Sequence, residues 1–95
     1  MKLRWTAPAL RDLEALGDYI ARDNPAAAAK IITQIFEQAN MLVAHPHAGR
    51  AGRVSGTREL VVSSTSYIVP YRVRGEDVEL LAVLHGARQW PENFN

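Results

Sequence analysis

Cysteine is missing from the 95-residue chain, which excludes a disulfide framework and a thiolate zinc site. Long apolar runs are missing as well. No stretch approaches the roughly 18 to 20 residues that a membrane span requires, and the opening MKLRWTAPALRD lacks a signal-peptide core. These gaps lead us to expect a soluble, cytoplasmic protein with no membrane partner. Charge of one sign is also scarce, since 11 basic and 10 acidic side chains leave a net charge of +1. That balance makes no global case for nucleic acid. Lysine runs out early, the last being Lys30, and the last tyrosine is Tyr71.

What charge there is has a local distribution. From His45 to Arg74, five arginines (Arg50, Arg53, Arg58, Arg72, Arg74) face one acid, Glu59, whereas residues 1 to 44 hold five basic and five acidic groups. A chain of this length with 47% hydrophobic content has material for one domain and one core. It contains no internal repeat, low-complexity tract or linker.

Hydrophobic spacing divides that domain into elements. Lys2 to Trp5 is a short strand candidate that could add an edge to a later sheet. Thr6 reads as a helix cap and Pro8 suits a first turn, so a helix is expected from Ala7 to about Asp23, its buried stripe formed by Leu10, Leu13, Leu16, Gly17 and Ile20. Asn24 and Pro25 start a second helix, to about Ala44, with a stripe that includes Ala28, Ile31, Ile32, Ile35, Phe36, Ala39, Leu42 and Val43. So short a connection makes the pair an antiparallel αα-hairpin. His45 to Thr57, with one proline and three glycines, reads as a loop without a core contribution.

Three period-two segments follow: Arg58 to Ser63, Tyr67 to Arg74 and Val78 to His85, joined by short turns as an antiparallel meander. Pro70 conflicts with a central strand, because it has no amide hydrogen to donate. A bulge, a gap or a neighbour that has peeled away would resolve this. Leu81 and Val83 make the second face of the third segment apolar too, so either the tail (Trp90, Phe94) or another chain should cover it. The expected class is α+β, an N-terminal strand and an αα-hairpin packed on a three-stranded meander, in the order β-α-α-β-β-β.

YIVPYRV and VELLAVLHGARQWP, preceded by GRVSGTRELVV and by two helices of this length, resemble the RelE/ParE superfamily of type II toxins. The resemblance spans essentially the whole chain. It implies a cytoplasmic toxin neutralised by a co-transcribed antitoxin, in a complex that meets operator DNA only through that antitoxin. It also implies one of two targets: RelE-like members cut messenger RNA on the ribosome, while ParE-like members block DNA gyrase.

The residues bear on that choice. Cleavage at a 2'-hydroxyl needs a base, an acid and cations on the phosphate. Arg58, Arg72, His85 and Arg88 are what this chain can offer, and arginine, with a pKa above about 12, is no proton carrier. His85 is the one convincing acid/base group in the second half of the chain, although it also suits a hydrogen bond to a backbone carbonyl where the chain turns. The reading favoured here is therefore a ParE-like gyrase inhibitor that is not an enzyme. Its target contacts would come from Arg50, Arg53, Arg58, Arg88 and Trp90, and its antitoxin contacts from Leu81, Val83, Arg72 and Arg74. Alternatives are a ribosome-dependent endonuclease and a non-toxic remnant that still binds its antitoxin. Tyr67 and Tyr71 fit strand packing better than a stacking platform. His45 and His47 have no third ligand type beside them, so no metal is expected; no cofactor is expected either.

Overall fold

Two capping residues divide the first forty positions into a helical hairpin. In the computed structural model, which describes residues 1–94, Thr6 Oγ1 accepts from the Ala9 amide at 3.4 Å and α1 spans Ala7–Ala21. Asn24 Oδ1 accepts from the Ala27 amide at 3.0 Å and α2 spans Pro25–Asn40. Both prolines occupy a first turn, where no donor is needed. Each helix stops earlier than its apolar period suggests, and α2 tightens into a 3-10 turn over Met41–Val43. The helices come closest at Gly17, where an added Cβ would lie 2.7 Å from Ile32 Cδ1. Leu10, Phe36 and Val43, expected in the buried stripes, are exposed. Phe36 still meets Trp5, with ring centroids 5.0 Å apart.

Among the described residues the sheet has six strands: β1 Lys2–Trp5, β2 Arg50–Ala51, β3 Arg58–Val61, β4 Tyr67–Arg74, β5 Asp77–Leu80 and β6 Leu84–His85. Their order is β1-β5-β4-β3-β2, with β6 also paired to β4. β1 does add an edge, parallel to β5, with Leu3 beside Val78 and Trp5 beside Leu80. The remaining pairs are antiparallel. The β4–β5 turn places Gly75 at φ 60°, a left-handed conformation that glycine adopts without steric cost. Helices cover one face only: Leu13, Leu16, Ile35, Ala39 and Leu42 pack with Val69, Tyr71, Val78 and Leu80.

Pro70 explains the largest departure from the expected meander. Its carbonyl accepts from the Leu81 amide at 2.9 Å, so the ring nitrogen, on the same edge of β4, faces the β5 side. A continuous third strand would place a donorless position opposite its ladder there. Instead the segment expected over Val78 to His85 divides into β5 and β6, and residues 81–83 leave the strand. Asp12 of α1 fills part of the gap, its Oδ2 accepting from the Val83 amide at 3.0 Å.

That break also corrects the expected apolar second face. Leu81 is only 7% exposed and Val83 only 4%. Val83 turns into the core under the helices, while Leu81 shares a cleft with Phe94 of the tail. Neither is a free sticky patch. The loop 45–57 is a second correction, because it supplies β2 and buries Val54. It is pinned from below by Tyr71, whose hydroxyl donates to Pro46 O and accepts from the Gly49 amide, each at 2.8 Å. Gly49 has no room for a side chain, since a Cβ there would lie 2.6 Å from that ring.

Candidate functional site

Opposite the helices, the sheet face is built from the outward positions of β1, β3, β4 and β5, and two buried glutamates organise it. Glu59, across from Pro70, accepts from Arg50 Nη2 at 2.9 Å and Nε at 3.1 Å on one oxygen. The other oxygen accepts from Arg53 Nε at 3.2 Å and from its backbone amide at 2.8 Å. Burial opposes ionisation of Glu59, but the Arg53 amide and the two guanidiniums outweigh it and hold the carboxyl below its ordinary pKa. Arg50 and Arg53, expected to meet only solvent or a partner, are thus anchored within the chain. Arg53 also stacks under Trp90, 3.6 Å from the ring centroid, and Trp90 Nε1 donates to His85 O at 3.4 Å.

Glu79 does the same for a second group. Arg72 Nε donates to it at 2.8 Å and Arg4 Nη1 at 3.1 Å, with Arg74 Nε at 3.7 Å. The Arg72 hydrogen bond is the main influence and lowers the Glu79 pKa; burial works against it, and the charges of Arg74, Arg72 and Arg4 add to the lowering. Five arginines on two carboxylates leave this face net positive. Arg4 was missed as a member. Its outward alternation with Lys2 was visible, but its partner depends on the β1–β5 pairing.

A cleft of about 440 Å³ lies on the helix side, between α1 and the end of β6. Asp12, Tyr19, Tyr67, His85 and Arg88 line it. The His85 ring meets Tyr67 edge-on at 5.7 Å, and its Nδ1 accepts from the Ala87 amide at 3.1 Å. The backbone contact expected of this histidine therefore exists with the polarity reversed, to an amide instead of a carbonyl. Among the described residues, Arg88 has no side-chain partner.

Against known proteins, the model for the ParE toxin of the type II toxin-antitoxin system, parDE, matches residues 3–90. The chain belongs to the ParE toxin family. It is 45% identical over 91 residues to the Sinorhizobium fredii protein "Putative toxin Y4kP", covering 96% of this chain and 94% of that one. It is 36% identical over 84 residues to Toxin RelE2 of Caulobacter vibrioides, covering 88% and 93%. A solved chain from the chromosomal ParDE TA system of P. aeruginosa superposes with a TM-score of 0.78 at 36% identity, over 87% of this chain and 92% of that one. This is a type II toxin-antitoxin toxin.

Within this ParE-family fold, the four residues that an RNA-cleaving site would need are dispersed. Arg58 is occupied at the loop, donating from Nη1 to Gly49 O at 2.9 Å and to His47 O at 3.3 Å. Arg72 lies on the opposite face from Tyr67 and His85, because β4 alternates and Tyr67 and Arg72 are an odd number of positions apart. Five strand steps separate those two, about 17 Å along β4. Only His85 and Arg88 come together. His45 and His47 are exposed loop residues, and no cluster of three or more metal-ligating side chains occurs among the described residues.

Proposed function

We propose that this toxin acts in the cytoplasm by surface contact with DNA gyrase, and that a cognate antitoxin neutralises it and carries the complex to operator DNA. The carrying observation is that Arg58 and Arg72 lie apart from the proton-transfer group His85, which keeps Arg88 alone of the candidate cations beside it. Glu59 and Glu79 occupy most of the arginines on the outer face, while His85 sits across the sheet with one imidazole nitrogen already engaged. Such a surface can grip a macromolecule, but it offers no base and acid around a common phosphate.

A second reading draws on the relative named Toxin RelE2. There, His85 and Arg88 would act on RNA from the helix-side cleft. The assay that separates the two adds purified protein to gyrase and, in parallel, to translating ribosomes. Gyrase inhibition is expected to remove supercoiling, with His85→Ala retaining activity within about twofold. Endonuclease action would instead cut ribosome-bound message, and the same substitution would cost roughly two to four decades, the worth of a positioned base. A protein inactive in both assays would be an antitoxin-binding remnant.

A further inference from the structure

We infer that the arginine face of the sheet binds the phosphate backbone of duplex DNA, and that the toxin meets gyrase where the enzyme holds its DNA. The second half rests on the gyrase reading. The first stands on the surface alone.

A buried carboxylate is neutralised by one cation. Glu79 instead gathers three, Arg4, Arg72 and Arg74, and Glu59 gathers Arg50 and Arg53. Guanidiniums crowded on one carboxylate repel one another, and the fold needs only one of them to balance each glutamate. The surplus points to an anion from outside. The side chains are also held ready for one. Arg53 and Arg72 turn the Nε side of the guanidinium to the carboxylate, and Arg4 one terminal nitrogen. A guanidinium has five N–H donors in a fixed plane, so a fork anchored by one side keeps donors for a phosphate on another. Arg4 and Arg74 remain more than half exposed, their side chains at 58% and 64%. Such preorganised cations lose little freedom when they bind.

Spacing indicates a polymer. Glu59 lies across from Pro70 on β4 and Glu79 across from Arg72, so the two anchors stand two strands apart and two residues out of step. By ordinary strand geometry that is about 12 Å. A lone phosphate cannot engage both groups while each stays on its glutamate, but a backbone of phosphates can. Duplex fits better than single strand. Single strands are gripped by stacking bases on exposed rings, and the rings nearest this face are committed elsewhere: Trp90 to Arg53, Phe94 to the cleft with Leu81, and Tyr71 to the core. A duplex presents its phosphates and stacks its own bases, and contact with its backbone alone carries no sequence preference. The opposite layer turns a polyanion away. Residues 7–40 hold Arg11, Arg22 and Lys30 against five acids, which steers DNA to the sheet side.

The test follows the fluorescence anisotropy of a short labelled duplex of arbitrary sequence as the full chain is added at several salt concentrations. A dissociation constant of about 10⁻⁴–10⁻⁶ M at physiological salt is expected, with a log–log salt slope of roughly −3 or steeper, the signature of three or more phosphate contacts. Arg4→Gln and Arg74→Gln, each shown to be folded by circular dichroism, should separately weaken binding about three- to tenfold and flatten the slope by about 1. Lys30→Gln on α2 should change neither. Duplex binding that is absent, insensitive to salt or indifferent to both arginine substitutions overturns the site. Tighter binding of the corresponding single strand, DNA or RNA, overturns it in favour of a stacking surface. Supercoiling by purified gyrase separates the two halves. Inhibition weakened in both arginine variants supports the whole inference. Full inhibition by variants whose duplex binding is weakened overturns the DNA contact on gyrase and leaves the gyrase reading standing. Duplex binding by a parent chain that does not inhibit gyrase supports the site and overturns the gyrase reading.

Discussion

Replacing Tyr71 with phenylalanine should loosen the loop that presents Arg50 and Arg53. The ring is fully buried, and its hydroxyl joins Pro46 O and the Gly49 amide at 2.8 Å each. Phenylalanine keeps the ring packing but leaves the amide without an acceptor and the carbonyl without a donor. An unsatisfied buried group costs about 1–3 kcal/mol, and the carbonyl is nearer to solvent, so the expected loss is about 2–3 kcal/mol. For a domain whose whole stability is about 5–15 kcal/mol, that is a large fraction. At about 4–8 °C per kcal/mol for this size, the melting temperature should fall by roughly 10–20 °C. Urea unfolding followed by circular dichroism gives the free energy, and hydrogen exchange at Gly49 shows whether the loop is the part released. A Tyr71→Phe protein within about 0.5 kcal/mol of its parent, or with Gly49 exchange unaltered, would refute the reasoning.

Acid should destabilise the fold through its two outer-face glutamates. Both carboxyls have pKa values below the ordinary 4.5 when folded, so the unfolded chain binds protons first, and their contribution, full above the unfolded pKa, is lost as pH falls through the folded values. Glu79→Gln should flatten the stability profile below about pH 4.5, as read from unfolding midpoints across that range. Asp12→Ala should cost about 1–2 kcal/mol by stranding the Val83 amide, with Asp12→Asn recovering much of it, measured by urea titration. Trp90→Ala should cost about 0.5–1 kcal/mol through the lost contact with Arg53, and should raise tail mobility in NMR relaxation.

Local chemistry was readable from the residues, and long-range pairing was not. Thr6, Asn24, Pro8 and Pro25 announced both helices because a cap acts within three residues of itself. Tyr67 to Arg74 matched its strand because alternation is a local pattern. Pro70 signalled that its ladder was interrupted, but the choice among a bulge, a gap and a peeled neighbour depended on Asp12, more than fifty residues away, accepting from Val83. Four of the five outer-face arginines, Arg50, Arg53, Arg72 and Arg74, were identified within one basic group, yet Glu59 and Glu79 had to be placed by the sheet register before their role as anchors emerged. His85 was placed correctly at a strand end. Its neighbours Asp12 and Tyr19 lie on α1, and no spacing along the chain links them to it.

The pairing of β1 with β5 joins residues more than seventy positions apart, with Thr6 Oγ1 on Leu80 O and Arg4 on Glu79. During synthesis, Leu3 and Trp5 have no strand to lie against until residue 80 has emerged, and contacts of such long span form late. A growing polypeptide of this sequence therefore stays unfinished along one border until β5 has emerged. A ribosome that stops short of residue 80 releases nothing capable of joining β1 to β5.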